Sequence, residues 1–338
     1  MGVTIKLQEL LSRPSDRLIE DMKKIKGDIM VLGAGGKMGP TICLMAMRAI
    51  KEAKLDKKVY AVSRFTNQEK RDQLEHAGIV TLSCDLKQRE ELEKLPDVSN
   101  IIFLAGKKFG TDGNEWQTWG MNAMVPTLVC DRFPASRFVV FSSGNIYPLV
   151  KASSGGASES VKCQPIGEYP QSCLARERIF EYYSQTRGTK VLIFRLSYAI
   201  ALEYGVLNDI ARKVYNSQPL DLANGSFNCI WQSDANEYAI RSLLLADNPA
   251  VILNATGPEL VGVKETAKKF GVLFEKEPIF TSEENTDAYL LNASKAHSVF
   301  GYPHVSLDTM IEYQAKWILE GGHDLNIPTH FEERKGSY

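Results

Sequence analysis

Residues 28–39, Asp-Ile-Met-Val-Leu-Gly-Ala-Gly-Gly-Lys-Met-Gly, decide the fold of this chain. A compact apolar run ends there at a turn made largely of glycine, with Gly33, Gly36 and Gly39 three residues apart. Met38, Ile42, Met45 and Ala49 then recur at helical spacing, so a strand feeds a helix through the turn. Working outward, further apolar runs lie at 58–64 (KVYAVSR), 78–85 (GIVTLSCD), 100–106 (NIIFLAG), 136–144 (SRFVVFSSG), 189–197 (TKVLIFRLS) and 250–257 (AVILNATG). Polar helix-forming stretches such as NQEKRDQLEHAG and KQREELEKLPD separate the early ones. Strands alternating with helices of this length build right-handed βαβ units and a parallel sheet covered on both faces. The expectation is an α/β, doubly wound parallel sheet with a smaller C-terminal lobe.

Glycines at the end of a first strand let backbone N–H groups approach a pyrophosphate, whose charge then rests on the following helix N-terminus. Gly33, Gly35, Gly36, Lys37, Met38 and Gly39 are therefore read as a dinucleotide site of Rossmann type. The second strand ends in Ser63-Arg64, with no Asp or Glu to bind a ribose 2′-OH. A guanidinium suits a 2′-phosphate, which favours NADP over NAD. Residues 28–196 form the expected dinucleotide-binding domain. Residues 1–27 precede it as a helical extension, with Leu18, Met22 and Ile25 on one face, and residues 197–338 form mainly a substrate lobe. The division is interleaved, because a strand near 250–254 returns to the sheet.

The chain has 338 residues, 44% of them hydrophobic and 24% charged, which suits a packed core and excludes a disordered chain. Lys plus Arg number 40 against 41 for Asp plus Glu, so no global attraction for nucleic acid or anionic lipid exists. Six cysteines lie scattered without metal-ligand spacing, and no metal is expected. No apolar run approaches the ~18 residues that span a bilayer, and the first residues lack a secretory pattern. A cytoplasmic protein is expected. Residues 150–165, small and polar with a Gly pair, read as a surface loop beside a site.

With these residues in view, the chain resembles the extended short-chain dehydrogenase/reductase family, the NAD(P)-dependent sugar epimerases and dehydratases. The resemblance runs in order from residue 28 onward. Asp85-Leu86 looks like the family's adenine contact, Leu104-Ala105-Gly106 like its nicotinamide-side turn, and Asn122 like its helix asparagine. Residues 141–147, FSSGNIY, resemble the strand end that carries the catalytic serine, here Ser143. Arg195, Asp234 and the segment 292–303 match later family positions. The resemblance also implies a homodimer built on the helices beginning near Trp119 and Tyr169.

The family's signature is YxxxK on a helix, where the lysine lowers the tyrosine's pKa from its usual ~10. Here the stretch runs from Tyr169 to Glu177, and Cys173 stands where the lysine is expected. A thiol carries no positive charge. Arg176, Lys107 or Lys108 could supply another cation; the chemistry could need little activation of the phenol; or the protein could bind NADP without catalysis. Cys173 as a nucleophile competes poorly with a buried small cysteine. Tyr147 to Lys151 also spells YxxxK but contains Pro148 directly after a strand, which disqualifies it.

Family members that use nucleotide sugars hold the diphosphate with an asparagine and an arginine. Tyr198 and Phe227 occupy those two positions here. The expected substrate is therefore a small sugar, keto sugar or sugar acid, with Lys107, Asn145, Tyr198 and Trp231 as candidates to line its pocket. The expected activity is NAD(P)-dependent epimerisation, dehydration or carbinol–carbonyl interconversion, with Tyr169 exchanging a proton and Ser143 orienting the oxygen. The alternative is a non-catalytic NADP-binding sensor or scaffold. The four histidines at 297, 304, 323 and 330 show no ligand spacing, though His330 follows Pro328 and could fold back over the site.

Overall fold

The computed structural model describes residues 3–327 and 329–337. Seven strands form the main sheet: β1 (Ile29–Leu32), β2 (Val59–Ser63), β3 (Val80–Ser83), β4 (Asn100–Phe103), β5 (Arg137–Ser143), β6 (Val191–Leu196) and β7 (Val251–Ala255). Every pairing is parallel and the spatial order is β7-β6-β5-β4-β1-β2-β3. The α/β doubly wound expectation holds, and each of the seven apolar runs is one of these strands. β1, β4, β5 and β6 are buried nearly throughout, as strands covered on both faces must be.

Alternation along β1 divides the core. Ile29 and Val31 face a layer that includes the helices Gly39–Glu52 and Gln232–Arg241. Met30 and Leu32 face a layer built from the helices Val125–Arg132 and Glu168–Arg187. The first of these layers is extended by the helix Asp16–Lys24, whose Leu18 and Met22 are fully buried. Its start is fixed by Ser15, whose Oγ accepts the Leu18 N–H at 3.2 Å.

A third core lies off the carboxyl end of the sheet and joins the helices Val206–Tyr215, Val263–Phe274 and Leu307–Leu319. Short two-stranded pairs brace it, among them Ala199–Ile200 with Ile230–Trp231. Between this core and the glycine turn lies the crevice where α/β sheets bind their ligands. Among the described residues, no helix is long and apolar enough to cross a membrane, and no group of three His, Cys, Asp or Glu side chains could hold a metal ion.

Candidate active site

The turn after β1 is pressed against its neighbours so tightly that side chains are excluded. Gly33 has φ +91°, and a Cβ there would lie 2.7 Å from the Ala105 backbone nitrogen. One at Gly35 would meet the Ser63 Oγ at 2.4 Å, and one at Gly39 the Ala34 carbonyl oxygen at 2.4 Å. The helix Gly39–Glu52 starts at this point with Pro40 in its first turn, and the first-turn N–H groups have no intrahelical acceptor. A bare turn opening on a helix N-terminus fits a pyrophosphate.

A crevice of about 380 Å³ extends from the turn over the ends of β2 and β3. Ser63, Arg64, Asn67 and Lys70 line one end, and Asp85 and Leu86 another. Arg64 and Lys70 are both exposed, so two cations border this end. Leu104, Ala105 and Gly106 line the crevice where it approaches β4.

Gly33, Gly36 and Leu104 also line a second cavity of about 290 Å³, so the two spaces share a wall. Into it project Ser143, Asn145 and Tyr169, together with Lys37, Lys108, Tyr198, Tyr204 and Thr329. Ser143 ends β5; its Oγ accepts the Asn145 N–H at 3.2 Å and donates to Asn145 Oδ1 at 3.3 Å. Ser143 and Cys173 both act on the Tyr169 phenol, and Ser143 lines the same cavity as Tyr169. Burial, then the neighbouring Cys173, pushes the Tyr169 phenol well above its ordinary value, while Arg176 and Ser143 act the other way. Cys173 is itself buried, and burial raises its thiol too.

Arg176 approaches from behind this pair. Its Nη1 donates to the Phe141 carbonyl at 2.8 Å and its Nη2 to Asn122 Oδ1 at 2.7 Å. A Cβ at Gly106 would lie 2.7 Å from the same Nη2, so glycine is what admits the guanidinium there. Asn122 sits in a π-helical turn, Gly120–Met124, and is fully buried. Its amide also accepts the Lys107 N–H at 2.8 Å and donates to the Lys107 carbonyl and to Ser172 Oγ, each at 2.9 Å. It fixes the turn after β4 and touches the cavity only through its partners.

Two candidates for the substrate pocket stand elsewhere. Lys107 points away, with Nζ on Gln117 Oε1 at 2.9 Å. Trp231 is packed in the lobe core, its ring edge on Tyr313 at 6.0 Å. Tyr198 does line the cavity, held at φ +37°, a strained value for a non-glycine residue. Asp234 accepts the His304 and Val305 N–H groups, fastening one loop of the lobe. Tyr147 is buried between Arg195 and Asn254, at 2.6 and 2.9 Å, while Lys151 is exposed. The chain does fold back near residue 330: Thr329 lines the cavity and His330 lies 6.2 Å from the Phe109 ring. Tyr204 and Thr329 had no signature in the sequence. Lys37 was legible only as part of the glycine motif, although its side chain lines the second cavity.

Three comparisons bear on this site. The profile of the NAD dependent epimerase/dehydratase family matches residues 29–227. Among curated proteins the sequence has no match. Similar solved structures include a mutant of UDP-glucuronic acid 4-epimerase from Bacillus cereus in complex with NAD and a fluorinated UDP-glucuronic acid. It is 17% identical, with a TM-score of 0.72 over 87% of this chain and 99% of that one. DesIV, a dTDP-glucose 4,6-dehydratase from Streptomyces venezuelae with NAD bound, is 16% identical, with a TM-score of 0.73 over 87% and 97%. UDP-glucose 4-epimerase from Thermotoga maritima, with UDP-glucose, is 16% identical, with a TM-score of 0.68 over 87% and 99%.

Proposed function

Because the chain belongs to the NAD dependent epimerase/dehydratase family, we propose that it carries out hydride chemistry at a carbinol carbon of a small keto sugar or sugar acid, with NADP preferred. The net reaction is epimerisation, dehydration or carbinol–carbonyl interconversion. The observation that carries the reading is that Ser143 and Tyr169 stand together on the wall of a cavity that shares the glycine turn. A bound nicotinamide supplies hydride uptake and return. The glycine turn and the helix N-terminus hold its pyrophosphate, and Arg64 with Lys70 gives the adenosine end two cations suited to a 2′-phosphate.

In this mechanism Tyr169 exchanges the proton of the substrate hydroxyl and Ser143 orients the oxygen. Cys173 offers no charge, so Arg176 serves as the positioning cation from behind the helix. Lys108, whose Nζ lies 5.9 Å from the Tyr169 ring centre, adds a second charge from the cavity side. Residues 28–196 hold the cofactor and 197–338 most of the substrate side. The exposed Trp116, Met124 and Tyr182 support a homodimer through their helices.

Two features favour a small substrate over the nucleotide sugars of the similar structures. Tyr198 and Phe227, at the positions where a diphosphate would be held, pack edge to face at 6.3 Å. A charged hydrogen bond forgone costs about 1.5–3 kcal/mol, so losing both handles would weaken a diphosphate ligand severely. The uncharged Cys173 favours a second reading, a non-catalytic NADP sensor.

Product chromatography alongside nicotinamide absorbance decides between them, because epimerisation and dehydration return the cofactor to its starting state. The protein is mixed with oxidised or reduced NADP or NAD and a panel of keto sugars, sugar acids and their nucleotide-linked counterparts. The expected result is turnover of small substrates, with NADP preferred and kcat lowered about 10²–10⁴-fold by Tyr169→Phe. Turnover confined to nucleotide-linked sugars would overturn the substrate class. Tight NADPH binding with no turnover of any compound would leave the sensor.

A further inference from the structure

Resting on that reading, we propose that Lys37 and Lys108 together form an anion site that takes the carboxylate of the substrate, which makes the substrate a sugar acid or its keto form. Lys37 leaves the glycine turn but does not line the crevice toward β2 and β3. It crosses instead to the second cavity, where its Nζ donates to the Ala199 carbonyl at 2.8 Å and lies 4.0 Å over the Tyr204 ring. Lys108 enters the same cavity from the turn after β4 and donates to the Thr329 carbonyl at 3.1 Å.

The lining is chemically one-sided. Its ionisable side chains are these two lysines and the phenols of Tyr169, Tyr198 and Tyr204, with no Asp or Glu among the described lining residues. The nearby carboxylates are committed elsewhere. Asp209 accepts the Thr329 N–H and hydroxyl, and Glu203 pairs with His323 at 2.7 Å. No carboxylate among the described residues lies within ion-pair distance of Lys37, which places one of its three donors on Ala199. Two like charges converging on one small space are costly, and burial depresses both ammoniums, Lys37 to about 7 and Lys108 to about 8. A carboxylate between them restores the charged forms and gives each lysine an oxygen. Because Tyr169 and Ser143 share the cavity, an acid anchored there presents a neighbouring carbinol to the phenol. At about 290 Å³ the space suits a compact acid.

Calorimetry on the NADP-saturated protein tests this with four probes: glucuronate, gluconate, glucose and the methyl ester of glucuronate. The acids are expected to bind at least about tenfold more tightly than the uncharged probes, and Lys37→Met and Lys108→Met each to remove at least about that factor. Lys37→Arg should retain part of the affinity, and both methionine variants should bind NADP within about threefold of the parent. Equal affinity for acids and uncharged probes, or no acid binding at all, overturns the proposal. So does a loss on Lys37→Met that falls on NADP instead of the acid. Lys108→Gln supplies the same comparison should a methionine variant fail to fold. Acid binding through the lysines without turnover leaves this site standing and overturns the proposed reaction. Turnover of uncharged sugars alone does the reverse.

Discussion

Two buried arginines, Arg176 next to Glu177 in the chain and Arg195 bonded to it across the fold, are treated in opposite ways. Arg195 on β6 meets Glu177 with two hydrogen bonds, at 3.0 and 2.6 Å, and gives its remaining nitrogen to Tyr147. Ser142 completes the carboxylate at 2.5 Å. Arg176, one residue before that glutamate, meets only neutral oxygens, from Phe141 and Asn122, and its buried Nε has no partner. The first charge is cancelled inside a closed network. The second is held in place without being neutralised, so its field reaches Tyr169 and Cys173. A fold tolerates an uncompensated buried cation at a cost, and the place where it does so is the place that lacks the lysine. The partners each guanidinium meets, not residue type, separate scaffold from site.

The largest effect expected from breaking this contrast is on stability. Arg195→Met leaves the Glu177 carboxylate buried and unpaired, which costs about 3–5 kcal/mol. Denaturant unfolding should register that loss, and adding Glu177→Gln should recover most of it. A single substitution tolerated within experimental error would mean that water reaches Glu177 and that the network is not closed.

The same change at Arg176 should spare stability and fall on rate. Arg176→Met removes two donors to neutral oxygens together with a costly charge, a balance expected within about 1 kcal/mol. Turnover should drop about 10²-fold. The sign of the pH effect follows from electrostatics: a cation favours the ionised phenol, so its removal raises the Tyr169 pKa. The limb of the pH–rate profile that requires the phenolate then moves to higher pH. Arg176→Lys should restore part of both. A profile that stays in place while stability collapses would make Arg176 another scaffold residue, and the contrast would vanish.

Which of these roles the sequence exposed depended on how local the physics was. Apolar runs, helical spacing and the glycine turn are set by neighbours along the chain, so all seven strands and the first βα turn could be read directly. Ser143 and Tyr169 were legible because each sits at a strand end or helix start whose flanking residues form a pattern. Arg176 was visible as a cation two turns beyond Tyr169, yet nothing local said that Gly106 clears the space for its guanidinium. Lys37 was harder. Its place in the glycine motif suggested the cofactor, and only the tertiary position of Ala199 and Tyr204 turns the ammonium toward the other cavity. Thr329 reaches the site from far along the chain and depends on contacts that no short pattern encodes.

The smallest effect sharpens the comparison by extending it to a lysine. In the folded chain burial lowers the Lys37 ammonium from its ordinary 10.5 to about 7; Lys108 adds to the depression, and Glu203 and Asp209 oppose it. Between those two values the unfolded chain binds the proton and the folded chain does not. Stability from this group is therefore present above pH 10.5 and is lost as pH falls through about 7. Lys37→Met abolishes that dependence, at the expense of one hydrogen bond to the Ala199 carbonyl. The variant should thus melt about 2–4 °C above the parent at pH 7, with the gap closing toward pH 10. A gap of constant size across that range would show an ammonium as well solvated as any on the surface, and the uncompensated buried cation would then be a property of Arg176 alone.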